Sequence, residues 1–150
     1  MEISLVNKNC FLLKHKKIKV TICPQETKVE GEGESVTVTG PGEYEIQGVT
    51  IAGLKNKDKV IYLYDLEELH VAYLNELQEK LTDSQLDFLD GVDVLLASGQ
   101  SADIIKQVGP SLVVTKESIK EMTGEPRKEK KLLVNKLDLP EETEVVILYG

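Results

Sequence analysis

Two turns and two alternating strands follow one another in the segment Gly40-Pro41-Gly42-Glu43-Tyr44-Glu45-Ile46-Gln47-Gly48-Val49-Thr50-Ile51-Ala52-Gly53. In each predicted strand the branched or aromatic residues share one face, and Glu or Thr occupies the other. The segments Gly40-Pro41-Gly42 and Gln47-Gly48 supply the turns, because proline fixes one φ and glycine admits a positive φ. The segment therefore predicts paired strands with one face in a core and one face in water.

The predicted strands before this segment differ from those after it. Ile18 to Ile22 and Val36 to Thr39 also alternate, whereas Val60 to Tyr64, Val92 to Ala97 and Leu112 to Val114 are nearly continuous apolar runs. Continuous runs are typical of strands that are buried on both faces. The first half of the chain is thus predicted to be all strand, with a second sheet covered on both sides in the second half.

Helices that cover this second sheet are predicted between its strands. Thr82 to Gln85 forms a capping box that begins one helix, and Gly91 ends it. Ser101 caps a second helix, which Gly109-Pro110 ends, and a weaker third helix is predicted from Lys116 to Met122. Two packed sheets with helices outside the second sheet are the architecture that these patterns favour.

The remaining segments are predicted as connections and closing strands. Gln25 to Glu34 and Glu125 to Lys131 are predicted loops, and Leu132 to Asn135 and Glu144 to Leu148 are predicted strands. Residues 1–150 are therefore expected to form a single domain.

Composition and charge exclude several classes of partner. The 150 residues carry 18 basic and 26 acidic side chains, and this net charge of −8 repels phosphate backbones and anionic lipids. No apolar run approaches the ~20 residues of a membrane helix, and Met1 to Val6 shows no secretion signal. We expect a cytoplasmic protein that binds neither nucleic acid nor membrane.

The two cysteines lie on neighbouring predicted strands. Without a secretion signal, Cys10 and Cys23 are expected to be reduced thiols in the core. A nucleophilic role would need a base and a cationic setting, and the nearby His15 belongs to a turn. No catalytic role is expected of them.

The order of these motifs resembles the metallo-β-lactamase superfamily. Five segments stand in that family's order: Gly40 to Gly53, Tyr73 to Leu77, Leu86 to Ala97, Gly109-Pro110 and Leu112 to Glu117. The similarity is greatest to the small branch that includes ascorbate-phosphate lactonase-like proteins, and it covers most of the chain. It implies an α/β (α+β) fold, a reduced αββα sandwich whose first half is all strand and whose second half alternates strand and helix.

The same resemblance implies that the family's metal ligands are missing. The His-x-His-x-Asp-His motif should follow a strand that ends in Asp-Pro, but Cys23-Pro24 stands there and the loop and helix after it are absent. Tyr73-Leu74-Asn75-Glu76 replaces a His-Leu-Gly-Asp motif, so only Glu76 of these four can still bind a cation. The family's last histidine falls near Glu117. We therefore expect a degenerate member without metal, cofactor or catalytic residues.

Zinc chemistry also requires more histidine than this chain has. A catalytic zinc needs about three protein ligands around an open position. The two histidines, His15 and His70, are expected at the surface and away from Glu76. Metal-activated hydrolysis would therefore lack its metal.

A vestigial cleft is the predicted ligand-binding site, because the loops after the later strands face the former metal site. The expected lining residues are Asn75, Glu76, Ser98, Gly99, Gln100 and Glu117. The glycine of Ser98 to Ser101, followed by a helix N-terminus, offers N–H groups to an anion, although a plain strand-to-helix turn has the same sequence.

The function predicted is that of a pseudoenzyme, with a role in binding an unidentified protein partner or in homo-oligomeric assembly. One alternative is a metal-dependent hydrolase in which Glu76, Glu117 and Asp65 hold a hard cation such as Mg²⁺ or Mn²⁺. Another alternative is a small-ligand sensor that uses the vestigial cleft.

The first sheet is predicted to have no helical layer, because no helix precedes Thr82. Its outward positions are then polar and suited to water, and self-association is expected through sheet edges such as Val36 to Thr39 or through Gln25 to Glu34. The outward residues are Lys19, Thr21, Thr37, Thr39, Glu45 and Thr50.

Overall fold

Alternation of apolar and polar residues turns one face of each early strand inward, and the inward faces form a core between two sheets. A computed structural model describes residues 1–122 and 125–150. The strands in these residues are β1 (Glu2–Val6), β2 (Cys10–His15), β3 (Ile18–Ile22), β4 (Thr27–Gly31), β5 (Glu34–Val38), β6 (Gly42–Ile46), β7 (Val49–Asn56), β8 (Lys59–Leu66), β9 (Leu69–Tyr73), β10 (Val94–Leu96), β11 (Leu112–Thr115), β12 (Arg127–Glu129), β13 (Lys131–Leu133) and β14 (Glu144–Leu148). Helices α1 (Asp83–Phe88) and α2 (Ala102–Val108) and a 3₁₀ turn at Lys136–Asp138 complete the elements.

The two sheets differ in the direction of their strands. The first sheet has the order β13-β1-β2-β3-β4-β5, and all its neighbours are antiparallel. The second has the order β12-β14-β11-β10-β9-β8-β7-β6. In it β9, β10, β11, β14 and β12 are parallel, and β8, β7 and β6 follow as an antiparallel meander. The predicted fold class, with strands first and alternating strand and helix later, is confirmed.

The core between the sheets contains a polar contact. The hydroxyls of Thr27 on β4 and Tyr64 on β8 lie 2.6 Å apart, and both residues are completely buried. Nearby, the rings of Phe11 and Tyr73 meet edge to face with centroids 6.5 Å apart. Because a buried hydroxyl is costly without a partner, the Thr27–Tyr64 bond fixes how the two sheets face each other.

The outer face of the second sheet packs against α1, α2 and the loops beside them. Ile104 and Ile105 of α2 join Ile61, Leu95 and Val113 of the strands in one buried cluster. Three of the four predicted helix ends are confirmed, but α1 ends at Phe88 with Leu89 as its C-cap, before the predicted Gly91. Thr82 and Gln85 form the capping box, Ser101 caps α2, and Gly109 ends α2 with a φ of 64°.

Several local predictions were wrong, and each error concerns a charged or short segment. Lys116 to Met122 forms bends and a turn and no helix. The predicted loop at Gln25 to Glu34 contains β4, and the predicted loop at Glu125 to Lys131 contains β12. The closing strand covers Lys131–Leu133, one residue earlier than predicted at its start. β4 and β12 carry few apolar residues, so pairing with neighbouring strands defines them and their own sequence pattern does not.

The expectation of reduced cysteines was also wrong. Cys10 and Cys23 form a disulfide, with their Cα atoms 4.5 Å apart. The register pairs Phe11 with Ile22, so the next residues outward are opposite each other across the hairpin. A cross-strand pair at this separation can be bridged without moving the backbone.

Among the described residues the outer face of the first sheet is open, as predicted, but three of the six residues assigned to it belong elsewhere. Thr39 is exposed in the connection between β5 and β6. Lys19 and Thr37 are exposed on this sheet, and Thr21 is half-buried. Glu45 and Thr50 are exposed on β6 and β7 of the second sheet. In the described ranges, no helix is long and apolar enough to cross a membrane.

Candidate functional site

The carboxyl ends of three parallel strands meet at one edge of the second sheet. The register aligns Tyr73 of β9 with Leu96 of β10 and Leu96 with Val114 of β11. The chain therefore leaves all three strands at the same level, and this is where open α/β sheets bind ligands. The loops that follow carry all six predicted site residues.

A network of hydrogen bonds ties the first two of these loops together. The Glu76 N–H donates to Ser98 Oγ over 3.0 Å, and the Ser98 N–H donates to Gln100 Oε1 over 2.7 Å. Gln100 Nε2 in turn donates to the Leu77 carbonyl over 2.9 Å. Gln100 is only 3 % exposed. It therefore braces the loops from inside and does not line a cleft.

Four of the predicted residues line one cavity of about 420 Å³, which we call the Ser98 cavity. These are Glu76, Ser98, Gly99 and Glu117. The other lining residues, which the sequence did not indicate, are Asn9, Gln78, Ala97, Thr115 and Lys116.

Asn75 lines a second cavity, of about 470 Å³, which adjoins the first one at Glu76. We call it the Asn75 cavity. Glu76 lines both cavities, so the single predicted cleft is in fact two adjoining ones. The walls of the Asn75 cavity are completed by Pro24, Gln25, Thr39, Asp58, Lys59, Val60 and Tyr62.

Asn75 is buried and fastens the end of β9 to β8. Its Nδ2 donates to the Val60 carbonyl over 3.1 Å, while its Oδ1 has no hydrogen-bond partner among the described residues. Asn75 and Glu76 both have positive φ, at 50° and 63°. Asparagine tolerates this conformation, but a glutamate there is strained. The surrounding structure therefore holds the backbone of Asn75 and Glu76 in this positive-φ conformation.

Lys59 and Lys116 place positive charge near the Glu76 carboxylate, which lies at the boundary of the two cavities. Lys59 Nζ lies 3.4 Å from Glu76 Oε2. Lys116 lines the Ser98 cavity together with Glu76 and Glu117, and its ammonium group donates to the Lys8 carbonyl over 3.1 Å. A cation in the Ser98 cavity would therefore meet a fixed positive charge.

Tyr73 lies behind this boundary, close to Glu76 and Ser98. Burial raises the pKa of Tyr73 to about 12, the nearby Glu76 carboxylate adds to the rise, and the Ser98 hydroxyl opposes it. The phenol therefore stays protonated at neutral pH and provides no phenolate for a metal or for proton abstraction.

The histidines lie far from this edge. His70 lies near the start of β9, where it pairs with Asp65, and His15 Nδ1 lies 2.9 Å from Glu67. Both are half-buried and each lies beside a carboxylate, which differs from the expected free surface position. In residues 1–122 and 125–150 no three His, Cys, Asp or Glu side chains are grouped to hold a metal ion.

The carboxylate site of the hydrolase alternative is not assembled as proposed. Glu76 and Glu117 line the same cavity, but Asp65 lies near the far end of β8, where it is opposite His70. Lys59, at the near end of β8, is the residue that reaches Glu76. Asp65 lies six positions along β8 from Lys59, about 20 Å at ~3.3 Å per residue.

In the segment Ser98 to Ser101, where an anion site was considered, the chain's own side chains accept hydrogen bonds from nearby N–H groups. The Ser101 hydroxyl accepts the Ile104 N–H over 3.3 Å, and the Ser98 N–H is bound by Gln100. The segment is thus a capped strand-to-helix turn.

Comparisons with known proteins identify the fold. No family model matches the chain, and no curated protein matches it. Among solved structures it is similar to a metallo-β-lactamase superfamily protein from Thermotoga maritima, whose description as a Zn-dependent hydrolase is provisional. The TM-score is 0.78 over 98 % of this chain and 97 % of the other, at 16 % sequence identity. The chain therefore has the metallo-β-lactamase-like sandwich fold.

Proposed function

We propose that this chain is a non-catalytic protein on the metallo-β-lactamase fold, a pseudoenzyme with a role in binding a partner or in homo-oligomeric assembly. The observation that carries the proposal is the state of Glu76. This carboxylate stands where the resemblance puts a metal ligand, and it is engaged by Lys59 at 3.4 Å. Its backbone N–H is bound to Ser98. An ammonium group beside this carboxylate works against a bound metal ion.

The chemistry of hydrolysis supports the same proposal. Lowering the pKa of a metal-bound water needs a metal held by about three converging ligands. The Ser98 cavity offers two carboxylates, Glu76 and Glu117, together with Lys116. Electrostatic repulsion from that lysine works against a divalent cation.

An assay with a matched control tests whether the chain is an enzyme. Lactone and phosphodiester substrates are offered with Zn²⁺, Mn²⁺ or Mg²⁺, and no turnover above the metal alone is expected. If turnover appears, Glu76→Gln and Glu117→Gln are compared with Glu79→Gln, an exposed residue that pairs with Lys57 outside the cavity. Metal-dependent turnover that survives in Glu79→Gln and is lost in the other two variants would overturn the proposal and establish the hydrolase.

A small-ligand sensor is the second candidate. The Ser98 cavity, at about 420 Å³, falls within the ~300–1,000 Å³ range of small-molecule sites. Ser98, Gln78 and Lys116 offer it a hydroxyl, an amide and a cation. Thermal-shift screening with small carboxylates, phosphates and polyols tests this candidate, with Ser98→Ala as the variant that should lose the stabilisation by a bound ligand.

The proposal also includes a cytoplasmic location and partners other than nucleic acid or membranes. The net charge of −8 supports the choice of partners. The Cys10–Cys23 disulfide argues against the location, because cytosolic reductants keep most thiols reduced. Thiol trapping in intact cells decides between a reducing and an oxidising compartment.

A further inference from the structure

The sandwich has two lateral sides at which the chain crosses from one sheet to the other. Between β5 and β6 it passes from the first sheet to the second, and between β12 and β13 it returns. These four strands are the outer strands of the two sheets. In the described ranges no further strand pairs with them on their outer edges. Each side therefore presents two open edges next to each other.

The two sides carry opposite charge. Residues 32–46, which include β5 and β6, contain four carboxylates and no lysine or arginine. Residues 127–136, which include β12 and β13, contain five basic residues and one acidic residue. We call the first the acidic side, with Glu32, Glu34, Glu43 and Glu45, and the second the basic side, with Arg127, Lys128, Lys130 and Lys131. Lys136 lies away from this edge, because it pairs with Asp93 just before β10.

Part of this charge has no partner within the chain. In the described part of the structure, neither Glu43 nor Glu45 on the acidic side forms an ion pair, and neither do Lys128 and Lys130 on the basic side. All four side chains are exposed. The charge on each side is thus available to a second molecule.

Exposed large apolar side chains lie on both of these sides. Val36 on β5 is 39 % exposed and belongs to the acidic side. Leu133 on β13 is 78 % exposed and belongs to the basic side. Tyr149 is 53 % exposed, and its N–H donates to the Glu129 carbonyl of β12. Apolar groups at an open strand edge, rimmed by charge, are typical of protein interfaces.

Strand direction makes the two sides complementary as well. All neighbours in the first sheet are antiparallel, so β13 and β5 at its two ends run in opposite directions. In the second sheet the parallel set ends at β12, and three antiparallel steps from β9 lead to β6, which again runs opposite to β12. A second copy displaced sideways without turning over therefore brings β13 antiparallel to β5 and β12 antiparallel to β6.

We propose that copies of this chain associate head to tail, with the basic side of one copy bound to the acidic side of the next. The inference rests on the assembly role proposed above. Each contact extends both sheets through edge pairing of up to three residues, the length of β12 and β13. Because the contact joins two different surfaces, repetition gives a ring or a filament and not a two-fold dimer.

The charges also define which contacts are excluded. Charged residues and short edge strands usually prevent sheets from pairing with one another. Here two acidic sides repel, two basic sides repel, and only the mixed contact is attractive. The same residues thus prevent disordered aggregation and select one arrangement.

Charge reversal tests the proposal. Sedimentation velocity and light scattering at low salt should show masses above that of the 16.7 kDa chain, and 1 M salt should weaken the association because it shortens the Debye length to about 3 Å. Lys128→Glu/Lys130→Glu and Glu43→Lys/Glu45→Lys should each weaken self-association about tenfold or more. An equimolar mixture of the two variants should associate again, because opposite charges face each other once more.

Two control variants carry the same change of net charge away from these sides. Lys80→Glu/Lys106→Glu and Asp87→Lys/Asp90→Lys alter exposed residues near the helices and should associate like the original chain. A monomeric wild-type protein at low salt, or reversal variants that associate unchanged, would overturn the inference. The zinc and hydrolysis assays on the same samples separate this failure from a failure of the non-catalytic proposal.

Discussion

Removing the Tyr64 hydroxyl should destabilise the fold by leaving Thr27 without a partner. The two hydroxyls lie 2.6 Å apart, and both side chains have no solvent exposure. In Tyr64→Phe the Thr27 hydroxyl keeps its desolvation cost and loses its hydrogen bond, which is worth about 1–3 kcal/mol. Thr27→Val leaves the Tyr64 hydroxyl unpaired in the same way and should cost a similar amount.

The double variant distinguishes the hydrogen bond from simple loss of packing. With both hydroxyls gone no buried polar group is left unpaired, so Thr27→Val/Tyr64→Phe should lose less than the sum of the single losses, by about 1–2 kcal/mol. Urea unfolding gives the three values from the midpoints at constant m. Tyr149→Phe, which removes a hydroxyl from an exposed ring, is the control and should change nothing. Additive losses in the double variant would show that the two hydroxyls do not stabilise each other.

Two further predictions concern the disulfide and the tyrosines. Reduction of the Cys10–Cys23 disulfide, whose cysteines are 13 residues apart, should lower the free energy of unfolding by about 3 kcal/mol. In Cys10→Ala/Cys23→Ala the urea midpoint should no longer depend on reductant, and two titratable thiols in unreduced, unfolded protein would contradict the prediction. Burial raises the pKa of Tyr62, Tyr64 and Tyr73, so stability should be full below pH 10 and fall at higher pH, by about 2–3 kcal/mol for Tyr73 with its pKa of about 12. Flat urea midpoints from pH 9 to 12 would contradict this.

Sequence patterns predicted the elements whose residues carry strong local signals. The capping box at Thr82, the Ser101 cap and Gly109 are local, and all three are confirmed. The strands β4 and β12 were missed because their charged residues carry a weak apolar pattern, and neighbouring strands supply their pairing. The disulfide depends on the exact register of the hairpin: Cys10 and Cys23 are equally far from the centre of the observed turn at Lys16-Lys17, but not from the centre of a turn at Lys14 to Lys17, as the polar residues there indicate.

The site could be predicted only in part, for a similar reason. Glu76, Ser98 and Glu117 follow parallel strands, so strand order alone brings them together. Lys59 begins β8 and Asn9 lies in the turn between β1 and β2, and no local pattern links them to that edge. The division into two cavities therefore depends on three-dimensional packing that the sequence does not reveal.

Metal content separates a non-catalytic protein on this fold from a metal-dependent hydrolase. The protein is produced in zinc-supplemented medium, purified without chelator and analysed by inductively coupled plasma mass spectrometry. We expect no stoichiometric zinc, manganese or iron, because Lys59 lies beside Glu76 and no three ligand side chains are grouped in the described residues. One equivalent of tightly bound metal per chain, lost in Glu76→Gln, would contradict this expectation.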